Sequence, residues 1–84
     1  MSDVIARVIS RKGPCKTHNV GDEFVIGDKT PPDVCSSAFH SIFPFAQVLR
    51  YGGSFPWEQD PSKTAVACPS SENAVVFQLR RASA

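Results

Sequence analysis

With 84 residues, 42% of them apolar and 20% charged, the chain has room for one globular domain (residues 1–84) and is too apolar for disorder. Nine Lys and Arg against eight Asp and Glu leave a net charge of +1, far from the strongly basic balance of a nucleic-acid binder, so nucleic acid is not an expected partner. No apolar run approaches the ~20 residues of a membrane span, and the start Met-Ser-Asp-Val-Ile-Ala-Arg lacks the basic and apolar regions of a signal peptide.

A soluble, cytoplasmic chain is therefore expected, in a compartment where thiols stay reduced. Three cysteines cannot all pair within one chain, which also favours free thiols or ligands over a disulfide framework.

Residues 3–10 read as a strand, with Val4, Ala6 and Val8 on one face and Ile5, Arg7 and Ile9 on the other. Lys12-Gly13-Pro14 ends it, and a loop carrying Cys15 and His18 leads through Gly21-Asp22 to a short strand at 23–26. Asp33 is placed as a helix N-cap. Apolar residues at helical spacing follow, and Pro44 in their midst predicts two short helices, about 34–42 and 44–51, or one kinked helix. Gly52-Gly53 reads as the helix stop. Strands at 64–68 and 74–79, joined by a hairpin loop at 69–73, complete the chain.

The order β-β-α(α)-β-β predicts an α+β fold: a small, mostly antiparallel four-stranded sheet with a Pro-kinked or two-part helical segment on one face. The other face, carrying Ile5, Ile9 and Val76, would be partly open, and a homodimer is expected from it.

The motif string Gly13-Pro14-Cys15, Gly21-Asp22-Glu23-Phe24, Cys35-Ser36 with Ala38, Gly52-Gly53 with Phe55-Pro56-Trp57, and Ala67-Cys68 resembles a family of small prokaryotic proteins of about 90 residues, known as a conserved domain of unknown function. The resemblance runs over nearly the whole chain and implies that all three cysteines belong to the family pattern. The chain departs from that pattern at Lys16, where the family has proline, at Pro69, where it has a further cysteine, and at Ser37, near which it has bulky aromatics. Neither His18 nor His40 falls on a family position.

Cys35 is the sharpest candidate for chemistry. With Asp33 as cap it occupies the second helical position, where free N–H groups and the positive helix end favour a thiolate, against the opposing charge of Asp33. It is thus a candidate catalytic nucleophile, although a small buried thiol is the commoner fate of a free cysteine. Cys15, Cys35 and Cys68 with His18 form a candidate Cys3His metal set suited to zinc or iron, although no Cys-x2-Cys knuckle exists.

Tyr51, Phe55 and Trp57 are candidate ligand-binding aromatics; they serve equally as a plug over the core. Three functions follow from these residues. The first is a small binding or accessory protein with a cysteine-lined pocket for a metal ion or small ligand. The second is a compact thiol-dependent or lyase/isomerase-like enzyme with Cys35 beside Trp57 and Tyr51. The third is an interaction module whose thiols are inert.

Overall fold

The computed structural model describes residues 2–82. Four strands, β1 (Val4–Ser10), β2 (Glu23–Ile26), β3 (Lys63–Ala67) and β4 (Val76–Arg81), form one antiparallel sheet in the order β2-β1-β4-β3. A single helix, α1 (Ser36–Arg50), connects the two edge strands and lies across one face. This is the expected α+β layout. Among the described residues, no helix is long and apolar enough to cross a membrane.

Alternation in the strands decides which face is covered. Val4, Ala6 and Val8 of β1 stand opposite Ile26, Leu79 and Phe77 of the neighbouring strands, and all six are buried. From the helix, Ala38, Ile42, Ala46 and Leu49 recur every third or fourth residue and meet them. Among the described residues no layer covers the opposite sheet face, leaving Val25 and Ile9 exposed among Arg7, Lys63 and Arg80. An irregularity in the β1–β4 register between Val8 and Ser10 accommodates Ile9, the extra residue there.

The helix decides between two expectations and corrects another. It is one 15-residue helix that runs through Pro44, rather than two short ones. Pro44 and the residue four before it, His40, both lie on the solvent side, so the missing hydrogen bond falls where water can replace it. The buried stripe continues on both sides of the proline and favours an unbroken helix. Its N-cap is Cys35, with φ −55° and ψ 133° and no side-chain capping bond, rather than Asp33.

The C-terminal stop falls where Gly52-Gly53 placed it. Tyr51 is the C-cap, Gly52 adopts φ +85°, and the Gly52 and Gly53 amides donate to the carbonyls of Leu49 (3.2 Å) and Val48 (2.8 Å). These are the paired bonds of a Schellman motif, which needs a left-handed residue at its turn. From β4, Arg81 donates to the carbonyls of Leu49 (3.2 Å), Gly53 (2.9 Å) and Pro61 (3.0 Å). It ties the helix end to the following loop.

The last two strands are offset from their expected ranges, and β4 begins only at Val76. Before it, the Cys68 amide still donates to the Val75 carbonyl (2.8 Å), but the Val75 amide donates to the Cys68 sulfur (3.2 Å) instead of a carbonyl. Ala74 beside it takes φ 41° in the turn.

Candidate functional site

Two loops and the start of α1 meet at one end of the sheet. The first loop, residues 11–22, is organised by Arg11. Its guanidinium donates to the carbonyls of Cys15 (3.2 Å) and His18 (2.9 Å) and to Asn19 Oδ1 (3.2 Å). The loop returns to β1 where the Gly21 amide donates to the Val8 carbonyl (2.8 Å) and the Val8 amide to that of Asp22 (2.9 Å).

The second loop, residues 68–75, docks on the first. Both the Lys12 and Gly13 amides donate to the Asn73 carbonyl, at 2.7 and 3.1 Å. Glycine is required at position 13, since a Cβ there would stand 2.6 Å from the Glu72 carbonyl oxygen. Ser70 and Asn73 shape the turn, with the Asn73 amide donating to Ser70 Oγ (3.1 Å) and the Ala74 amide to the Ser70 carbonyl (2.9 Å).

These contacts bring Cys15, Cys35, Cys68 and His18 onto the wall of one cavity of about 150 Å³. Ser37, Ala38, Ser70, Asn73 and Val75 complete much of its lining. All three thiols are free and half-buried. The four residues that the sequence grouped as a candidate metal set thus share a site. They do not form a ready metal cage: among the described residues no group of three or more His, Cys, Asp or Glu is arranged to hold a metal ion. Zinc or iron would require the loops to move.

His18 has a different role from the one its sequence position suggested. It is 1% exposed, wedged edge-on against Phe24 (5.2 Å between ring centroids) and Phe77 (5.3 Å). Its Nε2 accepts a hydrogen bond from the Cys35 amide (3.1 Å). An amide can only donate, so Nε2 carries the lone pair, the ring is neutral, and the proton sits on Nδ1. Burial holds its pKa below the ordinary 6.5, partly offset by the Asp22 carboxylate. His18 therefore anchors the start of α1 through the backbone of Cys35. A Cys35–His18 dyad would need Nε2 to meet the thiol.

The aromatic candidates lie elsewhere. Phe55 stacks between Phe45 (5.5 Å) and Trp57 (4.9 Å), and Trp57 Nε1 donates to Thr64 Oγ1 (3.3 Å). Phe45, on which the group packs, lies ten residues along α1 from Cys35, about 15 Å of helical rise. Tyr51 is 68% exposed and Trp57 63% exposed, and none of the three aromatics lines the cavity. The structure does not place Cys35 beside Trp57 and Tyr51, as the enzyme reading required. His40 is exposed on α1 and also lies outside the cavity.

Ser37, Ser70 and Asn73 were not singled out from the sequence. The Ser70-x-x-Asn73 spacing was the one available signal, a side-chain turn of the kind that shapes short loops.

No family model, no curated protein and no solved structure matches the chain.

One consequence concerns Cys68, whose sulfur accepts from the amide of the 1%-exposed Val75. Cys68→Ala leaves that amide buried without a partner and is expected to cost about 1–3 kcal/mol in urea unfolding. Cys68→Ser, which keeps an acceptor, is expected to recover at least half of that loss. Equal stability of the two variants would show that the sulfur contact contributes nothing.

Proposed function

We propose that the chain is a small binding protein whose cysteine-lined cavity takes one small organic ligand in an accessory, non-catalytic role. The observation that supports this reading is the convergence of Cys15, Cys35, Cys68 and His18, drawn from three separate segments, on one cavity of about 150 Å³. A cavity of that volume accommodates a molecule of benzene's size. Its walls combine apolar side chains with a few polar groups, the mixture typical of ligand sites.

A small ligand is favoured over a metal ion because the polar atoms best placed to ligate are already engaged. His18 Nε2 takes the Cys35 amide and the Cys68 sulfur takes the Val75 amide. It is favoured over catalysis because, among the described residues, no side-chain base is hydrogen-bonded to a thiol.

The test is a fragment screen by amide-resolved NMR, using molecules of about six to nine non-hydrogen atoms, on the wild type and on Ser37→Phe. Ser37 is exposed and lines the cavity, so the larger ring can fill the site without entering the core. The expected result is hits that perturb residues 15–18, 35–38 and 68–75 in the wild type and are lost in Ser37→Phe, with the fold retained. Hits scattered over the surface, or unchanged in Ser37→Phe, would overturn the reading.

A further inference from the structure

Alternation sends every second strand residue to the sheet face opposite α1, and the register sorts these residues into rows. One row runs Val25, Ile5, Arg80, Lys63 from β2 to β3, and the next runs Glu23, Arg7, Gln78, Ala65. Val25 and Ile9, 55% and 43% exposed, are β-branched residues of the kind that strands normally pack. The charges on this face are segregated. Glu23 stands on β2, and the Asp3 carboxylate lies over Gly27 just past its end, where a Cβ on Gly27 would be 2.9 Å from Asp3 Oδ1. Lys63 and Arg80 stand on β3 and β4, directly opposite each other. Like charges paired in this way destabilise a sheet. Glu23 reaches Arg80 only at 3.9 Å with both side chains about half exposed, and Lys63 has no ion pair among the described residues.

Acids along the β2 side, cations along the β3–β4 side and apolar residues between them make the face complementary to itself. A two-fold axis parallel to the strands, running between β1 and β4, lays β2 of one copy over β3 of the other and keeps the rows in line. Aligned stacking of this kind is one of the two ways in which sheets pack face to face.

We propose that this face binds a second copy of the chain in a symmetric homodimer, with Lys63 of each copy seated over Val25 and between Asp3 and Glu23 of the other. Arg80 then covers Ile5 of the other copy beside Asp3, and Arg7 meets Gln78. The symmetry makes every contact twice. Strand spacing and rise give the face a plan of roughly 20 Å by 20 Å. Two such faces bury on the order of 1,000 Å² of accessible surface, the lower limit for specific association, so the dimer is weak and reversible. The ligand cavity is lined by Ser37 and Ala38 of α1, on the other side of the sheet, so the dimer and the binding function proposed above stand independently.

The experiment is sedimentation equilibrium of the full chain from micromolar to near-millimolar concentration, for the wild type, Glu23→Lys and Lys63→Glu. The wild type is expected to dimerise reversibly. Each variant, at an exposed position, replaces two attractive contacts per dimer by two repulsive ones and is expected to weaken association at least about tenfold. Lys63→Glu also turns the Lys63–Arg80 pair into one of opposite charge, so its loss of dimer is not a loss of fold. An equimolar mixture of the two variants restores both pairings with the signs exchanged, and is expected to associate within about threefold of the wild type. Misfolding of either variant alone could not produce that rescue. A wild type that stays monomeric throughout would overturn the proposal. So would a dimer that both charge changes leave intact, since the copies would then pair elsewhere, or a mixture that associates no better than its components.

Discussion

Lowering the pH below 6.5 is expected to destabilise the protein through His18. The unfolded chain protonates this imidazole with a pKa near 6.5, whereas burial holds the folded value lower. Below pH 6.5 the unfolded state therefore binds more protons, and folding stability falls as the pH drops towards the folded pKa. Above 6.5 the ring is neutral in both states and the full stability is present.

Structure gives the same sign. A proton on Nε2 would remove the acceptor of the Cys35 amide and place a charge between Phe24 and Phe77. His18→Ala should cost about 2–4 kcal/mol at pH 7.5, from the lost ring packing and the orphaned amide. It should also flatten the stability profile between pH 7 and 5. Urea unfolding of both proteins across that range is the check. A wild-type profile no steeper than that of His18→Ala would contradict the assignment.

Arg81→Met is expected to be the other strongly destabilising change outside the core. Arg81 satisfies three carbonyls at the end of α1 and in the loop after it. Its charge also complements the negative end of the helix. Charge-assisted bonds of this kind contribute about 1.5–3 kcal/mol. For a domain of this size such a loss lowers the melting temperature by roughly 10 °C. Methionine keeps most of the aliphatic stem, so the loss isolates the guanidinium. Faster amide exchange at Gly52 and Gly53 should accompany it, because their acceptors belong to the same helix end. A melting temperature within 2 °C of the wild type would show that the three bonds are replaced by water without cost.

Local chemistry was the legible part of this chain. Strand β1 announces itself by alternation, and Gly52-Gly53 marks a helix end because only a residue tolerant of positive φ fits there. The helix start was misread for the converse reason. Asp33 has the right side chain for a cap, but the helix starts at Cys35, whose amide donates to His18, 17 residues earlier in the chain. No local pattern carries that information. Pro44 reads as a break only if its surroundings are ignored; the buried stripe from Ala38 to Leu49 overrides it.

The same division holds at the site. That the cysteines and His18 are candidates for a shared site is legible from residue type. Their convergence depends on the 11–22 loop docking on the 68–75 loop through Gly13 and Asn73, a tertiary contact. The aromatic turn shows the limit of residue type as a guide. Phe55 and Trp57 look like a ligand wall, yet they pack on Phe45 of α1, outside the cavity, and use the Trp57 indole N–H on Thr64.

The central claim is that three thiols share one ligand-sized cavity, and counting adducts under native conditions tests it most directly. Protein treated with excess N-ethylmaleimide at pH 7 would be followed by intact mass over time, beside a sample unfolded in guanidinium. A cavity of about 150 Å³ has space for one such group. The expected result is a single adduct that forms first in the native protein and slows the remaining two thiols at least tenfold, with three adducts forming at once in the unfolded chain. Three native adducts appearing with independent rates would mean that the thiols open separately to solvent and that the shared site does not exist.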